Sequence, residues 1–432
     1  MPRETKYVVK GGRVIDPANG IDRITEVYID GQIIERVGGK KNFQGRQIID
    51  ATGMLVFPGL VDIHTHLREP GNEDAETIDS GANAAIRGGV TTICCMPNTN
   101  PPVDSASDVR YIYDRAQEAP CWVYPIAAIS KGLKGEELSE MGDLAYAGAV
   151  AFSDDGRPVS NSQLLRNALA YADMLGLKLT LHCEDLQLTN EGSMHEGTVS
   201  GLSGIPAIPG ISEAVMITRD LLIAEFLGVP VHICHVSAKE SVHSIRAAKA
   251  RGVSVTAEAT PHHLILDDEK ILDSGFDTNF KVNPPIRSRE DIEALREALA
   301  DGTIDAIATD HAPHSPHTKD KDFINAPFGI IGLETSASLI YSELVRKKVI
   351  DEVRMVELMS ANPAKIFDLP AGALTQGAFA DITIFDPEKK WTVDANQFAS
   401  LSRNTPFAGW ELTGKPVLTM VAGEIVYNET GE

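Results

Sequence analysis

Apolar and polar positions follow two different patterns along this chain. Residues 1–55 break into short pieces, KYVVKGGRVID, EVYIDGQIIERVG and RQIIDATGMLV, in which β-forming stretches are punctuated by Gly, Asn and Asp. The same texture returns near the far end, in FADITIFDPEKKWTV and KPVLTMVAGEIVYNETGE. These segments predict strands, with hairpins turning at Gly11-Gly12 and at Asp30-Gly31. Between them the pattern changes to compact apolar runs of strand length separated by stretches of helical period. Strands are expected at 91–96, 122–127, 149–152, 177–181, 229–234, 253–257 and 304–309, and helices at 161–175, 212–227, 240–251 and 289–300.

One more strand opens this series. In residues 55–71, LVFPGLVDIHTHLREPG, a run of Val, Leu, Phe and Ile ends abruptly in imidazoles and charge. Such a run is buried on both faces, as in a parallel sheet, and its mouth is where reactive groups emerge. Side chains two apart share a face of a strand, so Asp62, His64, His66 and Arg68 project together. Eight strands alternating with helices make an α/β protein, a parallel (β/α)8 barrel, the economical fold. A small β-sandwich domain assembled from both chain ends completes it, with boundaries at 1–55 and 367–432 for that domain and 56–366 for the barrel. An open doubly wound sheet would carry a Gly-x-Gly-x-x-Gly loop after its first strand, and none is present.

Composition narrows the class of function. The 432 residues include 39 Lys and Arg against 61 Asp and Glu, a formal charge of -22. Nucleic acid and anionic membranes need a basic footprint, so neither is an expected partner. The five cysteines, Cys94, Cys95, Cys121, Cys183 and Cys234, lie in apolar surroundings and form no Cys-x-x-Cys pair. Buried reduced thiols in a cytosolic protein are expected. The N-terminus lacks the apolar core of a signal peptide, and no run approaches the ~18 apolar residues of a spanning helix, so the expected location is the cytoplasm.

The strand ends carry the chemistry. AVAFSDDG ends in Asp154 and Asp155, LKLTLHCED in His182, VHICHVSA in His235, and IDAIATDHAPH in Asp310 with His311 and His314 behind it. With His64 and His66, five strands thus end in metal-capable side chains, and in a barrel all such ends open on one face. Imidazole and carboxylate without thiolate suit zinc first, then manganese, cobalt and iron. Four histidines and two aspartates exceed the about three protein ligands of one catalytic zinc. Two divalent ions about 3.5–4 Å apart, sharing a carboxylate and a hydroxide, fit better. Spacing does not distinguish Asp154 from Asp155 as the shared carboxylate. His232 is expected to point away from the site and to be packed and hydrogen-bonded. His262 and His263 end the seventh strand with no assigned role.

These pieces, together with MPNTNPP, TPHHL, NPPIR and PFGIIGLET, resemble the bacterial-type (type I) dihydroorotases of the amidohydrolase superfamily over about residues 50–365. The resemblance implies reversible hydrolysis of the cyclic amide of dihydroorotate to carbamoyl aspartate, a step of pyrimidine synthesis. It implies one metal held by His64, His66 and Asp310 and a second by His182 and His235. Because no lysine ends the fourth strand, it also implies an aspartate bridge, taken as Asp154, leaving Asp155 to face solvent or cap the next turn. Arg68, Asn98 and His314 are implied for the substrate carboxylate, and Asn283 with the backbone of Phe328 and Gly329 for the ring. Asp310 is implied as the general acid/base that takes the proton of a bridging hydroxide and passes it to the departing nitrogen.

Two divalent ions against Asp154, Asp310 and a hydroxide leave the ligand sphere net positive, which suits an anionic substrate gripped by the planar fork of Arg68. A homo-oligomer and aspartate transcarbamoylase are the macromolecular partners in view. The competing readings are a dihydropyrimidinase, hydantoinase or allantoinase, which the missing lysine and Arg68 disfavour, and a metal-free scaffold docked to aspartate transcarbamoylase, which the complete ligand set disfavours. Residues 315–332 read either as a lid or as a long ordered loop.

Overall fold

The computed structural model describes residues 5–430. Residues 1–4 and 431–432, which fall within the β domain expected from the sequence, lie outside the described residues.

Eight strands follow one another in chain order: β1 (Leu60–Thr65), β2 (Val90–Cys95), β3 (Trp122–Pro125, continued by Ala127–Ala128), β4 (Phe152–Ser153), β5 (Leu179–Leu181), β6 (Val231–Ile233), β7 (Val255–Ala259) and β8 (Ala306–Ile307). Each pairs in parallel with the next. Beyond β8, His311 forms a parallel bridge with Thr65, and the His66 amide donates to the His311 carbonyl at 2.8 Å. The last strand end therefore lies against the first.

Several strands are shorter than their apolar runs predict. In residues 149–151 the chain already runs beside β3, through Val150 N to Pro125 O and Ala127 N to Ala151 O, but only Phe152–Ser153 completes a ladder. Helices Ser162–Met174, Ile211–Leu227, Lys239–Ala250 and Arg289–Asp301 fall where the helical period places them. The Asn161 side chain caps the first of these on the Gln163 and Leu164 amides, and Gly228 and Gly302, both left-handed, end the second and the last. Their apolar stripes, among them Leu165, Leu169, Ile217, Ile245 and Leu295, share one core with Ile93, Val123, Leu181 and Ile233 of the strands.

The β-rich ends meet. Ile382–Thr392 pairs antiparallel with Leu55–Pro58, so one six-stranded sheet contains Arg13–Asp16 and Ile21–Ile24 from the start of the chain and Glu411–Val421 and Glu424–Asn428 from its end. A second sheet of Lys6–Lys10, Val27–Asp30, Ile33–Val37 and Gln47–Asp50 shares a core with it through Val9, Ile29, Val56, Ile384 and Leu418. The hairpin at Asp30-Gly31 is present. The hairpin expected at Gly11-Gly12 is not: Lys6–Lys10 and Arg13–Asp16 belong to different sheets. The chain crosses between sheets there, through Gly11 at φ +80 and through Gly12, where a Cβ would sit 2.6 Å from Val56.

Among the described residues no helix is long and apolar enough to cross a membrane. All five cysteines are free and buried.

Candidate metal centre

β1 delivers His64 and His66 to its mouth, both buried. Their Nε2 atoms face Asp310, just beyond β8, at 3.5 and 2.9 Å. From β5 and β6 come His182 and His235, whose Nδ1 and Nε2 atoms lie 3.0 Å apart. Asp155 stands between the two groups. Its Oδ2 is 3.6 Å from His64 Nε2 and 3.5 Å from His66 Nε2, while its Oδ1 is 3.4 Å from His182 Nδ1 and 3.2 Å from His235 Nε2.

This arrangement corrects the choice of Asp154. The Asp154 carboxylate accepts the backbone amides of Ile129 and Ser130, each at 2.9 Å, and the Ser130 hydroxyl. Both its oxygens are engaged at the end of β3, whereas the imidazoles lie against Asp155. Asp155, expected to face solvent or cap a turn, is 3% exposed and reaches both histidine pairs.

The outward nitrogens are tied down. His64 Nδ1 donates to Glu258 at 2.6 Å, His66 Nδ1 to the Asn98 side-chain carbonyl at 2.8 Å and His182 Nε2 to Glu184 at 3.0 Å. Each bond fixes a ring so that its other nitrogen faces inward as a lone-pair donor. His232 is packed and bonded, to Thr256 and to the second oxygen of Glu258, as its strand parity predicts.

The inward atoms fit divalent cations. Donors of a tetrahedral zinc with bonds near 2.0–2.1 Å lie about 3.3 Å apart. The separations above bracket that value, and the buried His64 Nε2 has no hydrogen-bond partner. His64, His66 and Asp310 form one group able to hold a metal ion, and His64, Asp155 and His235 another.

The electrostatics agree. Burial pushes the Asp310 carboxyl up, but His64, His66 and His235 outweigh it and bring the group down to about 2. Asp155 is likewise held well below the carboxylate range, its desolvation outweighed by His64, His182 and His235. His182, desolvated but facing Asp155 and Glu184, is raised to about 10. With both carboxylates ionised, the cluster favours positive charge among them, on the imidazoles or on a bound cation.

Above the cluster lies a cleft of about 220 Å³ lined by His66, Arg68, Asn98, Asp155, His182, Asn283, Asp310, His314, Phe328 and Gly329. The residues that the family resemblance implies for substrate thus all lie on its wall. Arg68 donates from Nε to the Pro313 carbonyl at 3.0 Å, and burial lowers its guanidinium to about 10, still charged at neutral pH. Asn283 donates to Glu184 at 3.1 Å, and His314 Nε2 donates to the Phe328 carbonyl at 2.7 Å. Burial, then Arg68 and Lys319, lowers His314 to about 3, so its ring is neutral. A larger cleft of about 400 Å³ along 369–381 has Asp381 as its one ionisable lining residue and no comparable chemistry.

Two carboxylates escaped the sequence reading although a signal for each was present. Glu184 sits two residues after His182, and Glu258 is a lone charge in the apolar run VTAEA, one residue past the expected strand end. His263 is structural, bonded to Thr260 and to the Pro284 carbonyl.

Comparison with known proteins agrees with this geometry. Residues 53–241 match the family described as Dihydro-orotase-like. The dihydroorotase of Pelotomaculum thermopropionicum is 51% identical over 424 residues, 98% of this chain and 99% of that protein. That of Citrifermentans bemidjiense is 50% identical, over 97% of this chain and 99% of its own. Among solved structures, the L-hydantoinase (dihydropyrimidinase) of Arthrobacter aurescens superposes with a TM-score of 0.88 at 28% identity, covering 98% of this chain and 96% of that one. The dihydropyrimidinase of Brevibacillus agri, at 23% identity and a TM-score of 0.86, shares the fold over 98% of this chain and 95% of its own. With half of all positions identical over almost the full length of both chains, the protein belongs to the dihydroorotase family.

Proposed function

We propose that this chain interconverts (S)-dihydroorotate and N-carbamoyl-L-aspartate in pyrimidine biosynthesis, in the cytoplasm, at the mouth of a closed (β/α)8 barrel that carries a β-sandwich domain. The observation that carries the reading is the Asp155 carboxylate, one oxygen toward His64 and His66 and the other toward His182 and His235, beneath a cleft walled by Arg68. His64 and His66 through Nε2, Asp310 and Asp155 Oδ2 would hold one divalent ion. His182 Nδ1, His235 Nε2 and Asp155 Oδ1 would hold the other, zinc being the first choice for both. Such ions polarise the ring carbonyl and lower the pKa of the attacking water to about 7.

Asp310 takes the proton of that water and passes it to the departing amide nitrogen; in the reverse direction it removes the proton from that nitrogen. Its carboxyl is ionised at neutral pH, the form that can take up a proton. Arg68 grips the substrate carboxylate with paired N–H groups. Asn98 gives its free amide N–H to the same carboxylate, and His314 transfers its Nε2–H there from the Phe328 carbonyl. Asn283 and the backbone of Phe328 and Gly329 meet the ring.

A hydantoinase or dihydropyrimidinase activity is the second reading, favoured by the solved neighbours. A neutral ring would leave the enclosed Arg68 charge facing no anion, which is costly. The test is kcat/KM for dihydroorotate, dihydrouracil, hydantoin and allantoin with metal content measured alongside. We expect preference for the carboxylate-bearing ring of about 10⁴-fold, as for a site built to bond a group its competitors lack. Preference for a neutral ring overturns the reading, and less than one metal per chain would favour a scaffold. Light scattering of the protein alone, and mixed with aspartate transcarbamoylase, decides whether it forms a homo-oligomer and whether it docks on that enzyme.

A further inference from the structure

The connection between strands Ile382–Thr392 and Glu411–Val421, residues 393–410, leaves the β-rich part of the molecule and reaches the strand-end face. Among the bonds that anchor it there, Ser400 donates to Glu76, the Leu401 amide donates to Glu76 at 3.1 Å, the Ser402 hydroxyl donates to the Ala75 carbonyl at 2.7 Å, and the Ala399 amide donates to Glu334 at 2.8 Å. Beyond these anchors comes Asn404, 3% exposed.

Its side chain joins two loops that wall the cleft. Oδ1 accepts the His314 amide at 3.1 Å, and Nδ2 donates to the Ala312 carbonyl at 2.9 Å and to the Gly329 carbonyl at 3.0 Å. The Asn404 carbonyl adds a bond from the Ile331 amide at 3.0 Å. Ala312, His314 and Gly329 all line the cleft. The loops approach so closely that a Cβ on Gly329, at φ +149, would lie 2.7 Å from the Ala312 carbonyl oxygen and 2.8 Å from the His314 ring. Both amide hydrogens of Asn404 are committed to backbone carbonyls, so none remains for a substrate.

We propose that Asn404 is a positioning residue for substrate binding: it sets the distance between the 312–314 and 328–331 loops and so places His314 and the Phe328–Gly329 backbone. The inference rests on the dihydroorotase reading above. Because the segment keeps its Glu76 and Ala75 anchors without the Asn404 side chain, truncating that side chain falls on the two loops rather than on the segment.

The test is steady-state kinetics of the metal-loaded full-length protein in both directions for Asn404→Ala, Asn404→Asp and Ser402→Ala. Partial unfolding lowers the apparent kcat and leaves KM unchanged, so KM reports the folded molecules alone. Asn404→Ala should raise KM for both dihydroorotate and carbamoyl aspartate by about tenfold or more, the effect of a displaced binding group. Asn404→Asp, close to isosteric if the alanine variant does not fold, sets an anionic oxygen against two carbonyls and should raise KM likewise. Ser402→Ala removes an anchor but no loop contact and should leave KM within twofold. KM within twofold of the parent in a soluble Asn404 variant, or an equal rise in Ser402→Ala, overturns the inference. No turnover of either substrate by the parent protein overturns the function first and the inference with it.

Discussion

The floor of the cleft is built from strand ends, with His64, His66, His182, His235, Asp155 and Asp310 all buried, whereas its rim is built from loops, with Arg68, Asn98, Asn283, His314 and Phe328 only half-buried. On the floor, side chains hold side chains: Glu258, Asn98 and Glu184 each fix one ring. At the rim, backbone groups are held by side chains: Asn404, 90 residues from His314, and Lys319, eight residues from Pro327. The floor should therefore respond to substitution in metal binding and turnover, and the rim in substrate affinity. Left-handed backbone at Arg68, His235 and Asp310, φ 63, 29 and 47, marks where the chain turns out of the strands to present these groups.

The largest effect separates two neighbours on the floor. Asp155→Asn should cost more than the about 100-fold that loss of an outer partner costs, and should lower bound metal. Asp154→Asn should leave metal content near that of the parent but destabilise the fold by about 1–3 kcal/mol, because Oδ1 keeps the two amides while an N–H₂ replaces the oxygen that accepts the buried Ser130 hydroxyl. Metal analysis with denaturant unfolding of both variants reads this directly; the reverse assignment of effects would restore Asp154 as the shared ligand.

Next comes Asp310→Asn. Loss of a general acid/base should lower kcat by about 10²–10⁴-fold in both directions with an unchanged circular dichroism spectrum. Near-normal turnover would remove Asp310 from the proton path. Smaller again is Glu258→Gln, expected to weaken metal binding by about 10–100-fold, measured by chelator competition, with KM at the rim unchanged. A rise in KM without metal loss would erase the distinction between floor and rim.

Why one region was more legible than the other follows from where its determinants lie. His64, His66, His182 and His235 stand at the ends of apolar runs, and strand alternation is local, so their convergence could be read from the chain. Alternation stops at Ser153, the last residue of β4. What then separates Asp154 from Asp155 is a pair of amides on Ile129 and Ser130, across the sheet and invisible to any nearby pattern. Asn404 lies 90 residues from His314 in an irregular segment, so no period announces it. Gly11-Gly12 failed for a related reason: a turn dipeptide between two strands reads as a hairpin, and only the partners of those strands, 21–24 and 27–30, reveal a crossing between sheets.

The smallest effect concerns the rim's second tie and runs in two directions at once. Lys319 Nζ donates to the Thr278, Lys281 and Pro327 carbonyls at 2.8, 3.2 and 3.0 Å, and the Gly329 amide donates to the same Lys281 carbonyl at 2.9 Å. Burial, then the charge of Lys281, lowers the Lys319 ammonium to about 7, with Asp277 opposing. Below that pH three charged N–H groups meet three carbonyls; above it an amine with two hydrogens cannot. KM should therefore rise as pH passes from 6 to 8.5, by up to about fivefold, the difference between charged and neutral hydrogen bonds. Stability should move the other way. A folded-state pKa below the unfolded value of 10.5 means that the buried ammonium costs stability at low pH, and that this cost fades as pH rises from about 7 toward 10.5. Between pH 7 and 8.5, relative to Lys319→Met, the parent should thus gain stability and lose substrate affinity, and the variant should show shallower slopes in both. Parallel slopes in parent and variant would mean that Lys319 does not hold the rim.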